Sequence, residues 1–508
     1  MLVFGEQVQL IQNGIPLRRL SASLPKEEVF KNLFCFFNYC GIGHFQRVEG
    51  QISTFLKALA RKEGRSSKQN SWILFELGGK NFVLYRNRFV KEMKLRSLFL
   101  LVLLLVVLPL RAQVPGFFIT GDQKKVKVPF LASNSLILLP VSINGSSPMY
   151  FLLDTGVKAN LLFSKSKGDS LGLSYSRRVG MVGADGSTTV WARVSPINTL
   201  DLGGVEGRLQ SLLVLEEDFL ELEAVIGIPV YGILGFEFFK HNAVKIDYDQ
   251  AILTFYQPEG FAWKSPFYRR LPMQLEDGKA YVKVKVHQKE GATIQAKVLV
   301  DTGANHGLLL NQEASSDIKL PEHRIETQLG QSLGGVLYGE LGRVERLSMR
   351  GLNFQQVIAS YPEPSTFSTL IQASGRQGSL GAEVLGKTKL ILDYPRNGFY
   401  VRPGATFYQP FEFDMSGMVI KKRLTKEKRW YIGDVREGSP AHLAGVIPFD
   451  EILSIDSVPV LIWEMEQLVK LLRSEPGRVV VLDLRRYSSP DATQYVDLQV
   501  RLQLKKQI

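Results

Sequence analysis

The chain has 508 residues, 45% of them hydrophobic and 22% charged, with a formal charge of +13; that is enough length for several domains, each burying its own core. The charge is lopsided: residues 1–92 hold 14 basic and 7 acidic side chains, Lys94, Arg96 and Arg111 add three cations, and residues 113–508 keep only +3. No basic stripe with interleaved aromatics follows residue 113, so nothing argues for nucleic-acid binding, and because Cys35 and Cys40 are the only cysteines the later chain uses neither disulfide nor thiol chemistry.

In chain order, residues 1–92 show no clear hydrophobic period and read as an over-extended or disordered front segment. Met93-Lys94-Leu95-Arg96 then precedes an apolar run that reaches Leu110, with Arg111-Ala112 at its exit. A basic start, a short apolar core and a small exit residue predict a signal peptide over 93–112. Only 14 uncharged residues separate Arg96 from Arg111, short of the ~20 a spanning helix needs. Export to a periplasmic or extracellular space is therefore expected, the alternative being a type II membrane anchor; no stable membrane span is expected in the mature chain.

From residue 120 the reading becomes all-β: many short strands with glycine turns and few helical patterns. Leu152-Leu153 runs straight into Asp154-Thr155-Gly156, and Leu299-Val300 into Asp301-Thr302-Gly303, 147 positions later. Each triplet is followed by a further apolar run, Leu161-Leu162-Phe163 and Leu308-Leu309-Leu310, which predicts a sharp turn between two half-buried strands. Ile233-Leu234-Gly235 and Ser379-Leu380-Gly381 repeat at nearly the same offset, as do Val244-Lys245-Ile246-Asp247-Tyr248 and Leu390-Ile391-Leu392-Asp393-Tyr394. Three landmarks at one offset mark a duplicated unit. Assembled about a pseudo-twofold axis, such a unit brings Asp154 and Asp301 face to face.

These motifs resemble the aspartic proteases, in particular single-chain, two-lobed retropepsin-like peptidases, over roughly residues 125–405. The resemblance implies two β lobes, 120–262 and 268–405, with Asp154 and Asp301 sharing one proton: the ionised member acts as general base on water and the protonated one polarises the scissile carbonyl. It further implies that Thr155 and Thr302 brace the two loops, that Gly156 and Gly303 bring backbone amides to the carboxylates, and that Gly235 and Gly381 pack beneath them. Val157 and Ala304 stand where pepsin-like chains usually carry a hydroxyl, so the pair is expected to titrate high, with an activity optimum from mildly acidic to neutral.

Two glycine-rich hairpins are candidate flaps: one around Gly183, Asp185, Gly186 and Trp191, the other around Gly334 and Gly335. No cofactor and no metal is expected, because neither His-Glu-x-x-His nor another ligand spacing occurs.

After residue 405 the pattern changes. Trp430–Val435 reads as a strand, Ser439-Pro440 opens a short capped helix, a second helix is predicted over about 463–473, and strands near 478–486 and 494–503 close the segment. Ser439-Pro440-Ala441 through Gly445 and Asp450-Glu451-Ile452-Leu453 resemble a bacterial-type PDZ domain over 410–505. That resemblance implies strand addition of a peptide, including a C-terminal peptide ligand, with Gly417, Met418 and Val419 as the amide loop. The function expected is a secreted or periplasmic aspartic endopeptidase, monomeric, acting on peptide or protein substrates; the alternative is an inactive peptide-binding scaffold of the same fold.

Overall fold

The computed structural model describes residues 73–77, 80–84, 114–182, 189–218, 220–257, 266–332, 335–423, 429–488 and 493–508. The expected signal peptide and most of residues 1–92 lie outside them. The unit Gln12–Ala112 contributes one antiparallel hairpin, Ile73–Leu77 with Lys80–Leu84. Residues 114–508 fall within the other compact unit.

Two large sheets carry the duplicated halves. In the first, Met149–Leu153 pairs antiparallel with Leu136–Ile143 and parallel with Gly232–Leu234, which in turn pairs antiparallel with Asn160–Leu162. The second repeats this: Ile294–Val300 pairs with Lys279–His287 and with Gly378–Leu380, and the latter with Leu308–Leu310. The short strands Asn160–Leu162, Gly232–Leu234, Leu308–Leu310 and Gly378–Leu380 are buried throughout, which explains why Leu161-Leu162 and Leu308-Leu309-Leu310 read as continuous apolar runs rather than as alternating patterns.

The repeated Asp-Tyr strands make the seam. Ala243–Asp247 pairs antiparallel with Thr388–Asp393, and Lys245 faces Ile391, its own counterpart at the 146-residue offset. The pseudo-twofold axis passes between them. Outward from this pair run two further strands from each half, giving the order Arg269–Pro272, Gly398–Pro403, Thr388–Asp393, Ala243–Asp247, Ile252–Tyr256, Lys125–Pro129. One apolar core, with Leu153, Phe238, Val244, Val300, Leu392 and Phe399 among its members, runs through this sheet and both halves.

The C-terminal segment is a separate sheet in the order Met418–Arg423, Arg429–Val435, Glu451–Ile455, Val479–Tyr487, Tyr495–Gln503. Its core gathers Trp430, Ile432, Leu468, Val480 and Leu482. Ser439 caps the short helix Pro440–Leu443 by accepting from the His442 amide, and Met465–Leu472 forms the second helix. The helix Leu222–Ile226 of the first half packs against the edge strand Met418–Arg423, with Lys421 and Glu221 3.5 Å apart.

Candidate active site

Each triplet sits where a buried strand runs out of ladder. The Asp154 amide donates to Leu234 O (3.0 Å) and the Asp301 amide to Leu380 O (2.9 Å), so a parallel neighbour holds each loop at its first residue. A β-carbon on Gly235 would lie 2.5 Å from Val157 O, and one on Gly381 would overlap His306 O; no side chain fits at either place.

The two loops are then tied to each other. Thr155 Oγ1 donates to Val300 O (2.6 Å) and Thr302 Oγ1 to Leu153 O (2.8 Å). Each threonine oxygen also accepts the other's amide, at 3.1 and 3.2 Å. All four groups are buried, where hydrogen bonds strengthen and a missing partner is costly.

The carboxylates meet in the same place. Asp154 Oδ1 accepts from the Gly156 amide (2.7 Å) and Asp301 Oδ1 from the Gly303 amide (3.1 Å). The other oxygen of each, Oδ2, is buried with no hydrogen-bond partner, and both residues are at most 1% exposed. A β-carbon on Gly303 would overlap the Asp154 carboxyl, so Asp154 lies directly over the opposing loop, where the two acids act on each other's charge. Neither can donate unless one carries a proton.

Burial raises both acids. Asp154 is held well above the usual carboxylate range by burial and then by the neighbouring Asp301 charge. Asp301 is pushed up to about 6 by burial, opposed by the Gly303 and Ala304 amides and by Lys279. The two acids therefore titrate as a pair that keeps a proton above the ordinary carboxylate range. No hydroxyl helps either acid, since Val157 and Ala304 are buried apolar residues.

Three neighbours escaped sequence reading. Asn160 fastens Gly235 by accepting its amide (3.0 Å) while donating to Gln210 (2.9 Å). In the second half the Gly381 amide donates instead to Gly307 O (3.0 Å), and the neighbouring His306 meets Ser379 Oγ at 2.9 Å; burial lowers its pKa to about 3, so it stays neutral. Tyr394 is buried beside Asp154 with its ring stacked on Phe239 (5.2 Å), and burial raises its hydroxyl far above the ordinary phenol.

Of the candidate flap residues, Gly183, Asp185, Gly186 and Gly334 lie outside the described residues. Trp191 is 41% exposed on the strand Thr189–Asp201, with the Arg178 guanidinium 4.0 Å from its ring centre. Val190 and Ala192 beside it share a buried cluster with Val157, next to the first triplet. Gly335 opens the returning strand of the second hairpin, Gly335–Met349.

The PDZ-like segment departs from expectation at its amide loop. Asp414 accepts from Ser416 Oγ (2.6 Å) and from the Gly417 amide (2.5 Å), and the Met418 amide donates to Ser416 Oγ (3.2 Å). Val419 pairs with Asp434 in the ladder. Of the amides expected to await a terminal carboxylate, Gly417 is thus held by the chain's own Asp414 and Met418 by Ser416. The groove between Met418–Arg423 and Met465–Leu472 opens onto a cleft of ≈ 220 Å³ whose opposite wall includes Asn305, His306, Gly307 and Glu383 of the second half.

Residues 139–238 and 282–384 each match the family model described as aspartyl protease, and residues 431–486 match the PDZ domain model. Among solved structures the chain is similar to the basic 7S globulin from soybean at 10% identity and a TM-score of 0.34, over 55% of this chain and 95% of that one. The comparison with curated proteins returns no match. Two aspartyl-protease segments and one PDZ domain therefore lie along this chain, each protease segment enclosing one Asp-Thr-Gly loop.

Proposed function

We propose that the protein is an aspartic endopeptidase that hydrolyses peptide bonds by activating water between Asp154 and Asp301. The observation that carries this reading is the pair of buried Oδ2 atoms left without partners on two acids locked together by Thr155 and Thr302. Such confined like charges cost folding energy and return nothing to stability, which marks a functional site. Asp301, the more readily ionised member, takes the proton of the attacking water; protonated Asp154 donates to the scissile carbonyl oxygen as it gains charge. As the C–N bond breaks, Asp301 passes its proton to the leaving amine and a hydroxyl of the tetrahedral intermediate returns one to Asp154, so the pair ends as it began and no covalent intermediate with the enzyme forms.

The protein acts as a monomer on peptide segments after export through residues 93–112, and the PDZ domain holds an extended segment alongside the strand Met418–Arg423. Because the Gly417 and Met418 amides are engaged, an internal segment suits this groove better than a terminal carboxylate. The test is incubation of the purified chain with a mixed peptide library beside Asp154→Asn. Cleavage by the parent at mildly acidic to neutral pH and none by the variant is the expected result; equal silence from both favours the peptide-binding scaffold.

A further inference from the structure

The two acids rest on equivalent hairpins that differ in one side chain. In the first half Leu138 faces Leu152, and the same register carried two residues on sets Leu136 beside Asp154. In the second half Tyr281 faces Leu299, which sets Lys279 beside Asp301. Both residues leave a two-residue turn with positive φ: Asn134 (49°) and Ser135 (65°) before Leu136, Asp277 (48°) and Gly278 (81°) before Lys279. The closing pairs match too, Ser133 with Leu136 and Glu276 with Lys279.

Each turn crosses to the opposite half. A β-carbon on Gly278 would lie 2.9 Å from the Phe236 ring, and Ser135 Oγ would lie 3.2 Å from one on Gly386. Asp277 also pairs with Lys158, four residues past Asp154. The second turn is thereby pinned over the first catalytic loop. Leu136 is fully buried; the equivalent place in the second half holds an ammonium instead.

That ammonium is expensive where it stands. Lys279 is half-buried, burial lowers its pKa, and no described carboxylate oxygen lies within 4 Å of it. A desolvated cation without an ion pair destabilises the fold, so its presence opposite Asp301 calls for a reason other than stability. The charged and titratable groups facing it are Asp277 and Lys158 at the turn and Asp154 and Asp301 below; buried Tyr394 closes the Asp154 side as a neutral group.

We propose that Lys279 is a positioning residue for the dyad: its positive charge, delivered through space by the β-register rather than by a salt bridge, favours the ionised pair and sets the pH range in which the two acids hold one proton. This rests on the hydrolytic reading above. The duplicated halves differ at this place, a lysine in the second against a leucine in the first, and the one cation acts on both acids.

The test compares Lys279→Met, Lys279→Gln and Lys279→Arg in the full chain by the pH dependence of kcat/KM. Removal of the charge is expected to move both limbs of the profile upward by about one pH unit, while Lys279→Arg keeps the parent profile. A second readout needs no catalysis: the difference in thermal midpoint between each protein and its own Asp301→Asn derivative, followed from pH 4 to 8, is expected to level off at a higher pH in the Met and Gln variants, because the folded acid sets the upper end of the change. Superimposable profiles and plateaus in all four proteins overturn the proposal, as does an Arg variant displaced as far as Met. If nothing cleaves but the plateau moves, the assignment of Lys279 stands and the hydrolytic reading falls.

Discussion

Asp154 and Asp301, fully buried, on one side and Asp414, half-buried, on the other are acids at loop entrances raised by the same kind of desolvation, yet they end in opposite states. Asp414 has its bonds made: Ser416 Oγ and the Gly417 amide hold it, and the Arg436 charge offsets its burial. Asp154 and Asp301 each keep one oxygen bare in a buried setting. Burial alone therefore does not mark chemistry. What separates a structural acid from a reactive one here is unspent hydrogen-bonding capacity held rigidly against a like neighbour.

The largest effect expected to break that comparison comes from displacing a reactive acid. Gly303→Ala inserts a methyl group where the Asp154 carboxyl lies, and we expect cleavage of any substrate identified with the parent to fall about 100-fold or more, with circular dichroism showing the β fold retained. Parent-like activity would mean that Asp154 has no fixed place over the opposing loop.

The next prediction sharpens the electrostatic side. Folded Asp301 titrates near 6, above the ~3.9 of an unfolded aspartate. Between those values the native chain keeps a proton that the unfolded chain has released, so this group's contribution to stability is full below about pH 4 and is lost as pH rises through 6. Asp301→Asn removes the loss. Its stability relative to the parent should grow between pH 4 and 7.5 by on the order of 2 kcal/mol, read by denaturant unfolding at each pH; a gap that stays constant would show that the two acids do not strain the fold.

The smallest expected effect concerns the satisfied acid. Asp414→Ala frees the Gly417 amide, so a peptide ending in a free carboxylate should bind several-fold more tightly than its amidated form, whereas the parent should show little preference between them. Titration calorimetry distinguishes the two. Equal binding of both peptides by the variant would mean that Asp414 does not govern carboxylate access.

Much of this was legible in the chain because duplication writes the same message twice. The two triplets, Gly235 with Gly381, and the Val244 and Leu390 strands fell at one offset and met across one axis. The helix capped by Ser439 needed only local chemistry. Lys279 was hidden for a physical reason: it lies 22 residues before Asp301 and reaches it only through hairpin register. Asn160 and His306 looked like isolated polar residues, because what they hold, Gly235 and Ser379, arrives from more than 70 positions downstream. Occupation of the PDZ loop by Asp414 depends on backbone geometry that no tripeptide pattern records.

The central sheet has a mechanical consequence. Because Lys245 and Ile391 face each other in an unbroken ladder, the halves are stitched rather than hinged, and prising them apart would tear five consecutive residue pairings at once. The same stitching implies that a molecule nicked between its halves would remain whole, and that separately made halves would seek each other out along that seam.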